Sequence, residues 1–210
     1  MKRSKTIIAA QLVFCLGSVL YLYTPWHVPN KQCSGFIKDS FGYNMTQEKL
    51  PVDIIINQDL IEEEETAIRS AIDTWNRSTG IDLFVLRVAK DSSDPGSIRY
   101  LKKWEYEKTH TAQTNIIPRG HFIKEFSILL NTDLYQFSTN YSPTAVDLQS
   151  VILHELGHVL GLDHETNDLQ SVMNPNMNPG EYKRDISFSD ISRVKDQYEK
   201  FRPKKLSYNN

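Results

Sequence analysis

Three histidines, a glutamate and a glycine are packed into the eleven residues His154 to His164 (HELGHVLGLDH). His154 and His158 differ by four residues, so on a helix both imidazoles project from one face and reach a single Zn²⁺ at about 2.0–2.1 Å. Gly161 lets the chain turn after the helix, so that His164 returns to the same ion. Three neutral imidazoles leave a fourth coordination position open, which catalytic zinc requires.

Glu155 directly follows the first histidine, so its side chain projects from the helix in a different direction. Its carboxylate is placed to lean over the open position, where it is the base that activates a zinc-bound water. We therefore predict His154, His158 and His164 as metal ligands, Glu155 as the catalytic residue and one zinc ion as the cofactor.

This segment resembles the metzincin metallopeptidases, in which HExxHxxGxxH is followed by a turn built around a methionine. Ser171 to Pro175 (SVMNP) matches that turn, and the Leu-Gly steps of the histidine motif look like the matrixin branch. The start of the final helix, Ile186-Ser187 followed by Asp190 three residues after Ser187, also looks like the matrixin branch. Ala71 to Asn76, followed by Thr79 to Ile81, resembles the first helix and second strand of that branch.

The resemblance implies a zinc-dependent endopeptidase that hydrolyses peptide bonds in extended protein or peptide substrates. It assigns the three histidines as ligands, Glu155 as the base and Met173 as an apolar floor beneath the ligands. It implies an α+β fold, a metzincin-like catalytic domain with a twisted mixed sheet, an active-site helix and a C-terminal helix. The resemblance spans about Val52 to Tyr198.

Some positions depart from the family pattern. Matrixins carry Pro-x-Tyr after the methionine, whereas this chain has Pro175-Asn176-Met177, so cleavage-site preference is not transferred. His110 and His121 lack the His-x-Asp pairing of an extra structural zinc, and calcium stays undetermined. A glutamate directly after the third histidine, here Glu165, resembles the astacin branch. However, no tyrosine lies two residues after Met173, so the tyrosine ligand of that branch is not supported.

Two other functions stay open at this point. In a different class of zinc peptidase, a downstream carboxylate such as Glu181 replaces His164 as the third ligand. Alternatively, the exported domain is a zinc-binding interaction module without turnover, although the intact Glu155 favours hydrolysis. For Cys33, one reading is a thiolate that ligates zinc, as the pro-segment cysteine does in many matrixins, and the other is a plain unpaired thiol. Its surroundings (KQCSG) lack the Pro-Arg-Cys-Gly pattern of those pro-segments, which favours the plain thiol.

The N-terminus carries a candidate membrane segment. Residues 6–23 have no charge, follow three basic residues and are long enough to cross a hydrocarbon core as a helix. No clear cleavage site follows, so we favour a signal-anchor over a signal peptide. The catalytic domain is then membrane-anchored and exported, or secreted if the segment is cleaved. The predicted order is a basic N-terminus (1–5), this segment (6–23), a linker or pro-like segment (24–50), the zinc metallopeptidase domain (51–202) and a polar tail (203–210).

Several elements are predicted around the motif. Strands are expected at 51–57, 81–88, 98–104, 114–117 and 126–131, with a helix capped by Asn57 or Asp59 and ending near Thr79. The zinc helix should start at Ser142-Pro143 or Thr144 with Asp147 and end at Gly161, and the last helix should run from 187 to 201. Residues 126–131 are the candidate edge strand for pairing with an extended peptide.

The composition is that of one globular domain with 40% hydrophobic and 24% charged residues. After the three basic residues at the N-terminus, 21 basic and 26 acidic residues remain, which gives no basis for nucleic-acid binding. Cys15 lies in the apolar segment and leaves Cys33 alone, so the exported domain has no disulfide framework. We expect a monomer.

Overall fold

A computed structural model describes residues 8–9, 37–40, 44–90 and 95–199 of the 210-residue chain. Its elements are β1 (Ile8–Ala9), β2 (Val52–Asn57), α1 (Glu62–Thr79), β3 (Phe84–Ala89), β4 (Ser97–Leu101), β5 (Ala112–Arg119), β6 (Phe122–Asn131), β7 (Phe137–Ser138), β8 (Val146–Asp147), α2 (Leu148–Val159) and α3 (Phe188–Tyr198). Apart from β1, the predicted membrane segment lies outside the described residues, as do Cys33 and the tail. Within the described ranges, no helix is both long and apolar enough to cross a bilayer.

Six strands form a mixed sheet in the order β1-β5-β6-β4-β2-β3. The four strands β3, β2, β4 and β6 are parallel, and β5 runs antiparallel to β6. This sheet and the three helices confirm the predicted α+β class.

The expectation that residues 126–131 form an edge strand is wrong. They belong to β6, which lies between β4 and β5. The last four residues of β6 are buried in succession, as is usual for an interior strand covered on both faces. The strand beyond β6 is β5, and among the described residues its outer edge pairs with the two-residue β1 alone.

Helix α1 forms the crossover between the parallel strands β2 and β3. One apolar face is buried, and the Trp75 indole donates a 3.0 Å hydrogen bond to the carbonyl of Leu153 in α2. The predicted caps are not used: Ile61 is the N-cap without a side-chain bond, and Asn57 accepts from the backbone N–H of Asp59. In place of a side-chain cap, four glutamates in the first turn stabilise the helix through their favourable interaction with its positive N-terminal end.

Helix α2 begins at Leu148, later than predicted from Ser142-Pro143 or Thr144. Asp147 is its N-cap and accepts a 3.0 Å hydrogen bond from the backbone N–H of Ser150. The chain is still extended at Val146–Asp147, because these residues pair with β7.

Helix α3 begins as predicted after Ser187, whose side chain accepts from the backbone N–H of Asp190. Val194 and Tyr198 are fully buried, and the Tyr198 hydroxyl donates to the carbonyl of Leu160 at 2.9 Å. This contact holds the end of α2 against the last helix.

Candidate metal centre

The C-terminal end of α2 reverses the chain at Gly161. The backbone N–H of Leu162 donates to Gly157, and that of Gly161 donates to His158, at 3.0 and 2.9 Å. These are the two bonds of a Schellman motif, and the φ of +84° at Gly161 lies in the left-handed region that glycine adopts without penalty. The turn carries His164 back to the helix face that holds the other two histidines.

The structure brings all three predicted histidines together. Ring centroids lie 4.7 Å apart for His154 and His158, 5.2 Å for His154 and His164, and 4.9 Å for His158 and His164. One potential ligand atom from each ring lies within 4.8 Å of the others. The Nε2 atoms of His154 and His158 are 3.1 Å apart, close to the roughly 3.3 Å between two ligands in a tetrahedral zinc site.

Backbone carbonyls fix the orientation of two of these rings. His154 Nδ1 donates to the carbonyl of Val172 at 2.7 Å, and His158 Nδ1 donates to that of Leu162 at 2.9 Å. A carbonyl only accepts, so each Nδ1 carries the proton and each Nε2 presents a lone pair. The two lone pairs therefore face each other, an arrangement that a cation between them relieves.

Burial keeps these imidazoles neutral. Desolvation lowers the pKa of His154 to about 4 and that of His164 to about 3, and it lowers the pKa of His158 well below its usual value. At neutral pH all three rings are thus in the form that binds a metal, without first releasing a proton.

Glu155 is buried on the side of α2 that faces β5. Its Oε2 accepts a 2.5 Å hydrogen bond from the hydroxyl of Thr114, and its side chain is nearly inaccessible to solvent. Burial raises the pKa of Glu155 to about 7, and the bond from Thr114 opposes this rise. A buried carboxyl group whose pKa lies near neutral pH is typical of a general base.

The sequence model of the matrixin family matches residues 43–199. The chain belongs to the matrixin family. Metalloendoproteinase 1-MMP of Arabidopsis thaliana is 43% identical to this matrixin over 53 residues, 25% of this chain and 14% of the relative. Metalloendoproteinase 1 of Glycine max is 40% identical over 55 residues, 26% and 18% of the two chains. The aligned part of this chain thus spans less than a fifth of either curated relative.

The methionine turn of this matrixin lies directly against α2. Met173 is fully buried, and its Sδ would be 2.1 Å from a Cβ placed at Gly157. Any larger residue at position 157 would therefore force the Met173 side chain to move. The position agrees with the apolar floor that the family resemblance implies.

Asp190 supports the turn from the start of α3. Its carboxylate accepts from the Ser171 hydroxyl at 2.8 Å, from the Val172 backbone N–H at 3.0 Å and from Arg193 at 2.5 Å. Because the carbonyl of Val172 accepts the bond from His154, Asp190 supports the orientation of that ring through the single residue Val172. The sequence pattern indicated Asp190 only as part of the start of the final helix.

The alternative third ligand, Glu181, is engaged elsewhere. This exposed carboxylate accepts bonds from the backbone N–H and the amide of Asn178 at 2.8 and 2.9 Å. Across the described residues, the one group of His, Cys, Asp and Glu side chains close enough for a metal consists of the three motif histidines. The geometry thus favours His164 over Glu181.

The reversal at Gly161 gives a stability prediction. An added Cβ at Gly161 would lie 2.1 Å from the backbone oxygen of Met45, whereas at Gly120, with φ +62°, it would meet nothing within 4 Å. Both alanine substitutions cost about 1–2 kcal/mol for the left-handed backbone. We expect Gly161→Ala to lower the free energy of unfolding by roughly 2 kcal/mol more than Gly120→Ala, measured by urea denaturation. Equal losses would contradict the close contact with Met45.

Proposed function

We propose that this chain is a zinc-dependent endopeptidase that hydrolyses peptide bonds in extended polypeptides. The convergence of His154, His158 and His164 beside the buried Glu155 is the observation that supports this proposal most directly. The relatives that it matches are named as metalloendoproteinases, so the alternative of an interaction module without turnover has no support from them.

The donor set fits zinc. Three neutral nitrogen donors, two of them with the other ring nitrogen bonded to a carbonyl, form a three-ligand set with room for a fourth ligand. We therefore propose His154, His158 and His164 as the residues that hold the ion. When bound, zinc polarises the scissile carbonyl and lowers the pKa of a coordinated water to about 7.

Glu155 would move the proton. In the proposed reaction its carboxylate takes a proton from the attacking water and then delivers it to the departing amine. Its position on the helix next to His154, turned towards β5, suits both transfers. The surrounding burial limits exchange of that proton with bulk solvent.

The substrate would pair with β5. The backbone N–H of Asn131 donates to Thr111 at 2.9 Å, and bonded and non-bonded pairs alternate in an antiparallel ladder. Ala112, Thr114 and Ile116 therefore direct their backbone groups away from β6. Among the described residues β1 pairs with Asn115 and Ile116, so Ala112 and Thr114 present their groups to the outer edge. An extended polypeptide can add a strand there, beside Glu155, because Thr114 contacts that residue.

Metal removal tests this function. The purified chain is expected to hydrolyse an unfolded protein, to lose that activity and its zinc after dialysis against a chelator, and to regain both when zinc is restored. The melting temperature should fall on metal removal, since a ligand at 1,000 times its Kd stabilises the native state by about 4 kcal/mol. Hydrolysis that continues in protein shown to be free of metal would contradict the proposal.

The cellular location is a separate proposal. We propose that residues 6–23 act as a signal-anchor that exports the peptidase domain, as their length, lack of charge and basic flank indicate. In this proposal, the pairing of Ile8 and Ala9 with β5 is absent from the membrane-anchored protein.

A further inference from the structure

We propose that Thr114 is a positioning residue whose hydroxyl aims the carboxylate of Glu155 at the reacting atoms. This inference rests on the proposed peptidase function and adds a residue that the histidine motif does not contain. Thr114 lies in the outer strand β5, forty residues before the motif in the chain, and only the fold brings the two together.

The contact is short and buried. Thr114 Oγ1 lies 2.5 Å from Glu155 Oε2, and the two residues are 1% and 5% exposed. The same hydroxyl lies 3.3 Å from the backbone oxygen of Glu155. It has one proton to donate, and the shorter contact directs that proton to the carboxylate, where a hydroxyl-to-carboxylate bond is strong.

The bond limits how the glutamate can rotate. A glutamate side chain has three rotatable bonds, whereas threonine is stiff at χ1 and is fixed here to a sheet strand. Because Oε2 is held by Thr114, the remaining oxygen Oε1 has a defined direction. Glu155 is thus supported by its own helix and by β5.

Thr114 also faces the proposed peptide. Its backbone groups point to the outer edge of β5, while its hydroxyl reaches Glu155. One residue therefore sets both the position of a paired substrate strand and the direction of the base. Placement errors of about 1 Å in a catalytic group cost about 100-fold in rate, so this coupling matters for turnover.

Two matched pairs of side chains isolate the hydroxyl. Thr114 and Thr114→Val share a β-branched shape, and Thr114→Ser and Thr114→Ala are both small; in each pair only the first member has the hydroxyl. We expect kcat on a synthetic peptide to fall by about 10- to 100-fold from Thr to Val and from Ser to Ala, with KM and zinc content changed less than about two-fold. The Ser variant should keep most of the wild-type kcat.

A second measurement does not depend on activity. In metal-free protein, Thr114→Val should lower the melting temperature, and the loss should shrink in a Glu155→Leu background, because the partner is then absent. Equal losses in both backgrounds would assign the effect of Thr114 to packing and overturn the proposal. So would equal kcat values within each of the two pairs.

The outcomes separate this inference from the proposed function. If the wild-type protein hydrolyses peptide and Glu155→Ala does not, the peptidase assignment stands whatever the Thr114 variants do. If the wild-type protein with bound zinc hydrolyses nothing, the function fails, and the thermal comparison still decides whether Thr114 holds Glu155.

Discussion

Glu155→Ala is expected to lower kcat for peptide hydrolysis by about a thousand-fold while leaving zinc bound. The substitution removes the group that we propose accepts the proton of the attacking water, and it leaves all three histidines in place. A thousand-fold loss corresponds to about 4 kcal/mol of transition-state stabilisation. Steady-state kinetics on a peptide, together with the zinc content of the same preparation, measure both parts.

The controls distinguish chemistry from folding. Glu155→Gln keeps the shape of the side chain and can still accept the hydrogen bond from Thr114, so this variant should fold like the wild type. It should nevertheless be as inactive as Glu155→Ala. Glu63→Ala removes an exposed glutamate of α1 and should leave kcat unchanged. Hydrolysis at the wild-type rate by Glu155→Ala would refute the assignment of the base.

His164→Ala is expected to weaken zinc binding by roughly 100-fold or more and to abolish hydrolysis under limiting zinc. Loss of an outer-shell partner of a ligand already costs 10- to 100-fold in affinity, so loss of a ligand should cost at least as much. Competition with a chromophoric chelator gives the affinity. Activity at rising zinc concentration shows how much of the loss is due to occupancy.

Two further alanine variants bracket this result. Glu181→Ala should keep full zinc affinity, because Glu181 is bonded to Asn178 and lies outside the histidine group. His121→Ala, at an exposed histidine, should behave in the same way. If Glu181→Ala loses zinc and His164→Ala keeps it, the other class of zinc peptidase would be the better description.

The local features of this fold follow from the sequence. The β-branched run at 52–57, the helix ending at Thr79 and the reversal at Gly161 depend on residues within a few positions of each other. The N-cap of α3 is local in the same sense, because Ser187 and Asp190 are three residues apart. The histidine motif also belongs to this group, since one helix and one turn bring its three histidines together.

The features that could not be predicted depend on distant partners. Residues 126–131 have the composition of a strand, but their interior place in the sheet depends on β4 and β5. Asp147 caps α2 in place of Ser142 or Thr144 because Arg184, 37 residues later in the chain, forms an ion pair with it and because β8 pairs with β7. Thr114 has no signal of its own in the sequence, since its role depends on β5 lying beside Glu155.

The support that Asp190 gives to the methionine turn has a consequence for the order in which the domain is made. The histidine helix leaves the ribosome first, then the turn, and only afterwards the residue that anchors Ser171 and Val172. Until Asp190 has emerged, Val172, whose carbonyl orients His154, lacks its bond to that carboxylate. A nascent chain therefore completes this centre only after α3 has begun to emerge, because the residue that anchors the turn lies at the start of that helix.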